Sequence, residues 1–171
     1  LYLAESDDIL AFASETGPLD VFGDAKISEV MPGEWVKYTN GQLERGLTVS
    51  KKNLESQRRS CMFESVYFSS PQSSISGTSV YRQRFQLGRY LAKQISASWP
   101  TSRFLDDDID YVVPVPETSR VAATAVAEEL GLPFREFLIK NPYVPRTFIL
   151  SSQEKRLKAL SQKLSLVGPE L

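Results

Sequence analysis

The sequence predicts an α/β fold, α+β over its whole length, on three observations. The second half alternates helix and strand signals with short connections, an order that lays strands parallel in one sheet. The first half reads as short strands between closely spaced turns. The composition is globular: 171 residues, 42% hydrophobic and 24% charged, enough to bury a core.

The elements follow in chain order. Gly17-Pro18, Gly23-Asp24, Met31-Pro32-Gly33 and Asn40-Gly41 mark turns between Leu1 and about Gly46. Glu34 to Tyr38 alternates polar and apolar residues, as a half-buried strand does. Asn40-Gly41 then favours a hairpin, because both positions tolerate positive φ. Thr48 to Ser60 is polar and charged and is expected to be a linker. Tyr81 to Ser98 places Leu87, Gly88, Leu91, Ala92 and Ile95 on one helical face. Asp106-Asp107-Asp108 forms an acidic loop, and Tyr111 to Val115 is an apolar run expected to be a buried strand. Pro116 to Ser119 is a turn, and Arg120 to Leu130 is an alanine-rich helix closed by Gly131 and Pro133. Phe134 to Ile139 is a further strand. Gln153 to Leu164 is a basic helix with Leu157, Leu160 and Leu164 on one side.

Composition excludes several function classes. Lys+Arg 20 against Asp+Glu 21 gives a net charge of −1, which argues against a protein that coats nucleic acid. Histidine is absent, so no Ser-His-Asp triad, His-ligated zinc or imidazole base can form within these residues. The single cysteine, Cys61, forms no disulfide framework and is expected to be a small core hydrophobe. No apolar run reaches membrane-span length and no signal peptide opens the chain, so the expected compartment is the cytoplasm.

Two features carry chemistry. A strand, then Pro-Glu-Thr-Ser, then a helix is the arrangement at which α/β sheets bind ligands. Thr118 and Ser119 are good N-caps, and hydroxyls beside the free N–H groups of a helix start make an anion site. The plain alternative is an ordinary capped helix. The second feature is charge. From Lys140 to Lys163, six cations against the single anion Glu154 leave the segment at +5. A basic loop beside an anion-binding turn points to a phosphate-rich ligand; the alternative is a solvated basic face. Asp106 to Asp108 precede the strand, at the end opposite the expected site, and are read as solvated rather than metal-binding.

Several motifs then resemble one family. Cys61-Met62-Phe63-Glu64-Ser65-Val66-Tyr67-Phe68, with Pro71 and Ser73, resembles a segment of the glutamine phosphoribosylpyrophosphate amidotransferases (amidophosphoribosyltransferases). So does Val80-Tyr81 followed by Arg84 and Gly88. Val112 to Ser119 resembles the family's pyrophosphate loop. Lys140-Asn141, Tyr143-Val144 and Arg146-Thr147-Phe148-Ile149 resemble its mobile active-site loop, and Gln153, Arg156 and Lys163-Leu164 continue the match. Ala13-Ser14-Glu15, Leu19-Asp20, Pro32-Gly33-Glu34 and Gly41 are similar to the end of its glutaminase domain.

The resemblance implies a domain plan. Residues 1–47 would be the tail of an N-terminal-nucleophile glutaminase domain, 48–60 a linker, and 61–171 the first part of a type I phosphoribosyltransferase domain with a parallel sheet. It implies an enzyme that frees ammonia from glutamine and uses it to displace pyrophosphate from phosphoribosylpyrophosphate. The product is 5-phosphoribosylamine, in the first committed step of purine synthesis. Mg²⁺ would accompany the diphosphate. Glu117, Thr118 and Ser119 would bind pyrophosphate, with Ser119 towards the metal. Lys140, Tyr143 and Arg146 would act from the closing loop, and Tyr67 and Ile149 would line an ammonia channel. Cys61 matches one iron–sulfur ligand position, but no other cysteine accompanies it, so no cluster is predicted. The resemblance implies a homo-oligomer inhibited by purine nucleotides, without nucleic-acid or membrane partners.

Departures shape the expectation. Ser69-Ser70-Pro71-Gln72 stands where the family has Ala-Arg-Pro-Asp, so an Arg and an Asp are replaced. Pro142 and Pro145 replace an Arg and a Gly of the mobile loop, which should make it stiffer and one cation poorer. The family's catalytic cysteine is expected upstream of Leu1 and its Asp-Asp phosphoribosylpyrophosphate loop beyond Leu171, so these residues alone are expected to catalyse neither half-reaction. Two alternatives are a non-catalytic homologue that keeps the fold and a stand-alone salvage phosphoribosyltransferase.

Overall fold

The computed structural model describes residues 1–48, 50, 59–99, 109–144, 147 and 149–168. By packing the chain divides into two units, Leu1–Gln83 and Arg84–Leu171. Most of the expected linker, the acidic loop Asp106 to Asp108, and Pro145, Arg146 and Phe148 lie outside the described residues.

The first unit is built on antiparallel pairing. β1 (Tyr2–Glu5) is the central strand between β2 (Leu10–Ala13) and β3 (Lys26–Glu29). Tyr2 faces Ala13 on one side and Glu29 on the other. Tyr2, Ala4 and Leu19 form the core, with Ala11, Ala13, Phe22, Ala25 and Ile27 packed against them. Leu3 points to the other face and is also fully buried, so β1 is covered on both sides. A side chain of that size contributes about 1.5–3 kcal/mol when removed from water. Leu19 is carried by a 3₁₀ helix, Gly17–Phe22, whose Pro18 fits the first turn because its missing N–H needs no partner there.

The expected hairpin is present. β4 (Glu34–Thr39) pairs with β5 (Gln42–Leu47) through the two-residue turn Asn40-Gly41, with φ of 50° and 81°. Positive φ at both positions matches the strands' right-handed twist. Gly46 sits under the Trp35 ring, where a Cβ would collide with the indole. Arg45 ties this hairpin to the sheet. Its Nε donates to Glu34 Oε1 at 2.6 Å, and its Nη atoms donate to Ser28 Oγ and the Glu29 carbonyl, each at 3.0 Å. Burial pushes the Glu34 carboxyl up, but the Met31 N–H and the Arg45 guanidinium outweigh it and hold the pKa below the usual glutamate value.

Glu64–Phe68 is a turn of π-helix, followed by a second small hairpin, β6 (Ser74–Ile75) and β7 (Thr78–Ser79). The segment before β6 is fastened to the first sheet's connections. Ser73 Oγ accepts from Gly17 N at 3.1 Å and donates to Glu15 Oε2 at 2.9 Å. Ser70 N donates to the same Glu15 oxygen, and Ser74 N donates to Thr16 Oγ1, both at 2.8 Å. Cys61 is exposed, not a core residue. The neighbouring Phe63, Tyr67 and Phe68 rings pack on one another and leave the thiol uncovered.

α1 (Val80–Ser98) crosses the boundary between the units. Its buried positions in the second unit are Arg84, Gly88 and Ala92, each one turn apart. Leu87 and Leu91, expected on the buried face, are 41% and 48% exposed. Gly88 approaches the Ala122 carbonyl and Ala125 of α2 (Arg120–Leu130) so closely that the narrow small-residue stripe, not the flanking leucines, makes the contact. Gly131 ends α2 at φ 69°, in the left-handed cap expected of glycine.

The second unit mixes helix and sheet as expected, with its strands shorter than predicted. Among the described residues the parallel pairing is a single bridge between Val112 and Phe134. Tyr111 to Val115 is not a buried strand: Tyr111 and Val115 are 41% and 58% exposed. Among the described residues its backbone pairing with another segment runs through residues 133–135, by Val112 N to the Pro133 carbonyl and Arg135 N to the Val112 carbonyl. The expected strand Phe134 to Ile139 begins instead at Leu138. β8 (Leu138–Lys140) pairs antiparallel with β9 (Leu164–Leu166), a strand starting where the basic helix was expected to finish. That helix, α3 (Gln153–Lys163), has no buried residue, and Leu157 and Leu160 are exposed. Ser152 caps it by accepting from Lys155 N at 3.3 Å.

Candidate functional site

Pro116 to Ser119 form a loop between the Val112 bridge and α2. The local polar groups fold it on itself. Ser119 Oγ donates to the Val115 carbonyl at 2.6 Å, four residues back. Arg120 N reaches the Glu117 carbonyl at 3.3 Å, closing the turn. The Pro116–Glu117 peptide is cis. The expected capping differs. Ser119 holds the N-cap position of α2, but its side chain makes no cap hydrogen bond, because the hydroxyl is turned towards Val115. Glu117 is exposed, while Thr118 and Ser119 are half-buried.

Sequence reasoning missed Arg120. Its Nη1 lies 3.1 Å from Glu117 Oε2, and its Nε lies 2.9 Å from Glu136 Oε1. The second contact is an ion pair without hydrogen-bond alignment, since Nε is buried and makes no hydrogen bond. One guanidinium therefore joins the loop to the segment that runs into β8. The signal was available: Glu117 and Arg120 are three residues apart, the spacing at which side chains meet on a helix. The Glu136 contact depends on the Val112–Phe134 bridge and had no local signature.

Lys140 ends β8 and is half-buried. The chain then turns at once. Asn141 N donates to the Lys163 carbonyl at 2.8 Å, fixing the turn to the end of α3. Asn141 Oδ1 accepts from Tyr143 N at 3.0 Å, and Val144 N reaches the Asn141 carbonyl at 3.4 Å. Pro142 occupies the second position of this turn, where its fixed φ belongs. Tyr143 is thereby held out at 92% exposure. Ile149 is 69% exposed. Leu150 presents its carbonyl to Arg156 Nε at 2.8 Å. No hydrogen bond or ion pair joins Glu117, Thr118 or Ser119 directly to Lys140 or Tyr143; Arg120 and Glu136 supply the connection between their segments. Tyr67 belongs to the first unit and is 55% exposed, stacked on Phe63 at 5.1 Å.

Among the described residues no group of three Asp, Glu, Cys or His side chains could hold a metal, and no helix is long and apolar enough to cross a membrane. The donor chemistry near the loop fits a metal carried by its ligand. It offers two hydroxyls, Thr118 and Ser119, the second donating to the Val115 carbonyl, and the Glu117 carboxylate, already paired with Arg120. Mg²⁺ bound with phosphates needs few protein ligands, because phosphate oxygens and water fill most of its shell.

No family profile matches the chain. Individual relatives do. It is 40% identical over 159 residues to the amidophosphoribosyltransferase of Pseudomonas aeruginosa, covering 92% of this chain and 30% of that protein. Against the Escherichia coli amidophosphoribosyltransferase it is 38% identical over 154 residues, covering 90% of this chain and 29% of the relative. Its fold is similar to that of the Bacillus subtilis glutamine phosphoribosylpyrophosphate amidotransferase, a structure described as complexed with ADP and GMP. The TM-score is 0.73 at 36% identity, over 96% of this chain and 33% of the other. The chain thus spans about a third of the length of the proteins it matches.

Proposed function

We propose, on the premise that this chain is similar to amidophosphoribosyltransferases over more than nine-tenths of its length, that it forms part of an enzyme making 5-phosphoribosylamine from glutamine and phosphoribosylpyrophosphate. The observation that carries this reading is the similarity itself: 40% identity, continuous over 159 residues. Residues 1–47 are then the end of the glutaminase domain, 48–60 the linker, and 61–171 the front of the phosphoribosyltransferase domain.

The roles follow from the chemistry of displacing pyrophosphate. Charge builds on the leaving diphosphate, so hydroxyls, amide N–H groups and cations around it lower the barrier. Glu117, Thr118 and Ser119 would hold the diphosphate, and the Ser119 hydroxyl would serve the Mg²⁺ that accompanies it. Mg²⁺, when bound, would supply positive charge against the diphosphate. The resemblance assigns Lys140, Tyr143 and Arg146 to the closing loop, and closure would exclude water that competes with ammonia. The resemblance assigns Tyr67 and Ile149 to an ammonia path, where an apolar lining would disfavour protonation because an unpaired ammonium is costly to desolvate. We extend the proposal to a cytoplasmic homo-oligomer inhibited by purine nucleotides; the similar Bacillus subtilis structure, described as complexed with ADP and GMP, supports the nucleotide part.

Pro142 favours a second reading, a homologue that has lost catalysis. It replaces a cation and sets a turn that Asn141 closes from both its side chain and its carbonyl. An assay separates the two. The protein expressed from its complete coding region should release pyrophosphate from phosphoribosylpyrophosphate in a glutamine-dependent way, and Lys140→Ala should lower kcat by about tenfold or more. Absence of turnover in the complete protein would support the second reading. The 171-residue chain alone should turn over neither substrate.

A further inference from the structure

Glu117 poses an electrostatic problem for the proposed role of its loop. A diphosphate is strongly anionic, and a free carboxylate on the loop beneath it would repel it. Arg120 answers the problem, with Nη1 3.1 Å from Glu117 Oε2. Its Nε, buried, faces Glu136 Oε1 at 2.9 Å. A guanidinium can meet two carboxylates at once because its donors diverge in one plane; a lysine ammonium offers a single point charge. Glu136 sits two residues before β8, the strand that ends in Lys140. Arg120 itself is the first residue of α2.

We infer that Arg120 is a positioning residue that neutralises Glu117 and holds the pyrophosphate loop in register with the strand carrying Lys140. The inference rests on the reading of residues 117–119 as a diphosphate-binding loop. Arg120 does not touch the reacting atoms. It cancels the Glu117 charge, so that the loop's amides and the Ser119 hydroxyl meet the ligand without a competing carboxylate. Glu136 keeps the guanidinium from swinging away.

The two parts of this role separate experimentally. In the protein expressed from its complete coding region, Arg120→Gln should raise KM for phosphoribosylpyrophosphate about tenfold, with a smaller change in kcat, because an unpaired carboxylate then faces the ligand. Glu117→Gln in that background removes the charge and should restore most of the lost affinity. Arg120→Lys should fall between the parent and Arg120→Gln. A merely structural arginine predicts otherwise: the double variant would be no better than the single one. That result, or an unchanged KM in Arg120→Gln, overturns the inference while leaving the proposed function standing. A parent protein with no phosphoribosylpyrophosphate-dependent activity overturns both. Thermal unfolding of each variant separates lost affinity from lost folding, and an Arg120→Gln protein that does not fold would itself assign the residue to stability and overturn the inference.

Discussion

The two packing units are held together differently. In Leu1–Gln83 the polar ties near the core are long-range and sheltered. Ser73, fully buried, joins Gly17 and Glu15 across more than fifty residues of chain. In Arg84–Leu171 the ties around the candidate site are short-range or solvent-exposed: Ser119 to Val115, Arg120 to Glu117 and Glu136, Tyr143 to Asn141. The contrast has a physical meaning. Buried ties specify one arrangement, because breaking them strands a polar group away from water. Exposed ties are each worth little and exchange readily with water or ligand. The proposed loop, closing over a diphosphate and opening again, would be better served by the second kind.

The largest test of this contrast lies where the second unit depends on packing and not on polar ties. Gly88→Ala should destabilise the protein by about 2 kcal/mol, since the added Cβ meets the Ala122 backbone, which cannot step aside, and this outweighs the gain in helix propensity. Chemical denaturation measures it. An unchanged midpoint would mean that α1 and α2 are more loosely packed than described. Next comes Ser73→Ala, which leaves the buried Gly17 N–H without its acceptor and should cost about 1–3 kcal/mol. By contrast, Ser119→Ala should cost under about 1 kcal/mol, because its bond is exposed. Equal losses at Ser73 and Ser119 would erase the distinction between the units.

The smallest effect is a pH dependence in the first unit. The folded pKa of Glu34 lies below its unfolded value. Its stabilisation is therefore complete above the ordinary glutamate value, about 4.3, and is lost as pH falls through the lower folded value. Thermal unfolding followed from pH 6 to pH 3 should show the parent losing more stability than Glu34→Gln, by up to about 1 kcal/mol. Parallel curves would remove Glu34 from the account.

What the sequence made legible follows the same division between local and long-range causes. The Asn40-Gly41 hairpin, α2 with its Gly131 cap, and most of α1 and α3 were readable, because turn chemistry and helical period act within a few residues. The order of the motifs pointed to the family that the relatives also show. The burial of Tyr111 to Val115 was not readable. Apolar residues there imply partners on both sides, and the described residues supply pairing only through residues 133–135. Nor was β9, which exists only because β8 pairs with it. At the site, Glu117 to Ser119 and Lys140 to Tyr143 could be named from pattern. The turn of the Ser119 hydroxyl to Val115 and the reach of Arg120 to Glu136 are tertiary facts.

The proposed function turns on binding of the diphosphate by the loop at 117–119. It can be tested on the labelled chain itself by titrating magnesium pyrophosphate and following backbone amide resonances. The account predicts saturable shifts at Glu117, Thr118, Ser119 and Arg120, and smaller ones at Lys140 to Tyr143, with the Asn40-Gly41 hairpin unmoved. Shifts confined to the exposed lysines of α3, or none at 117–120 at millimolar ligand, would contradict it.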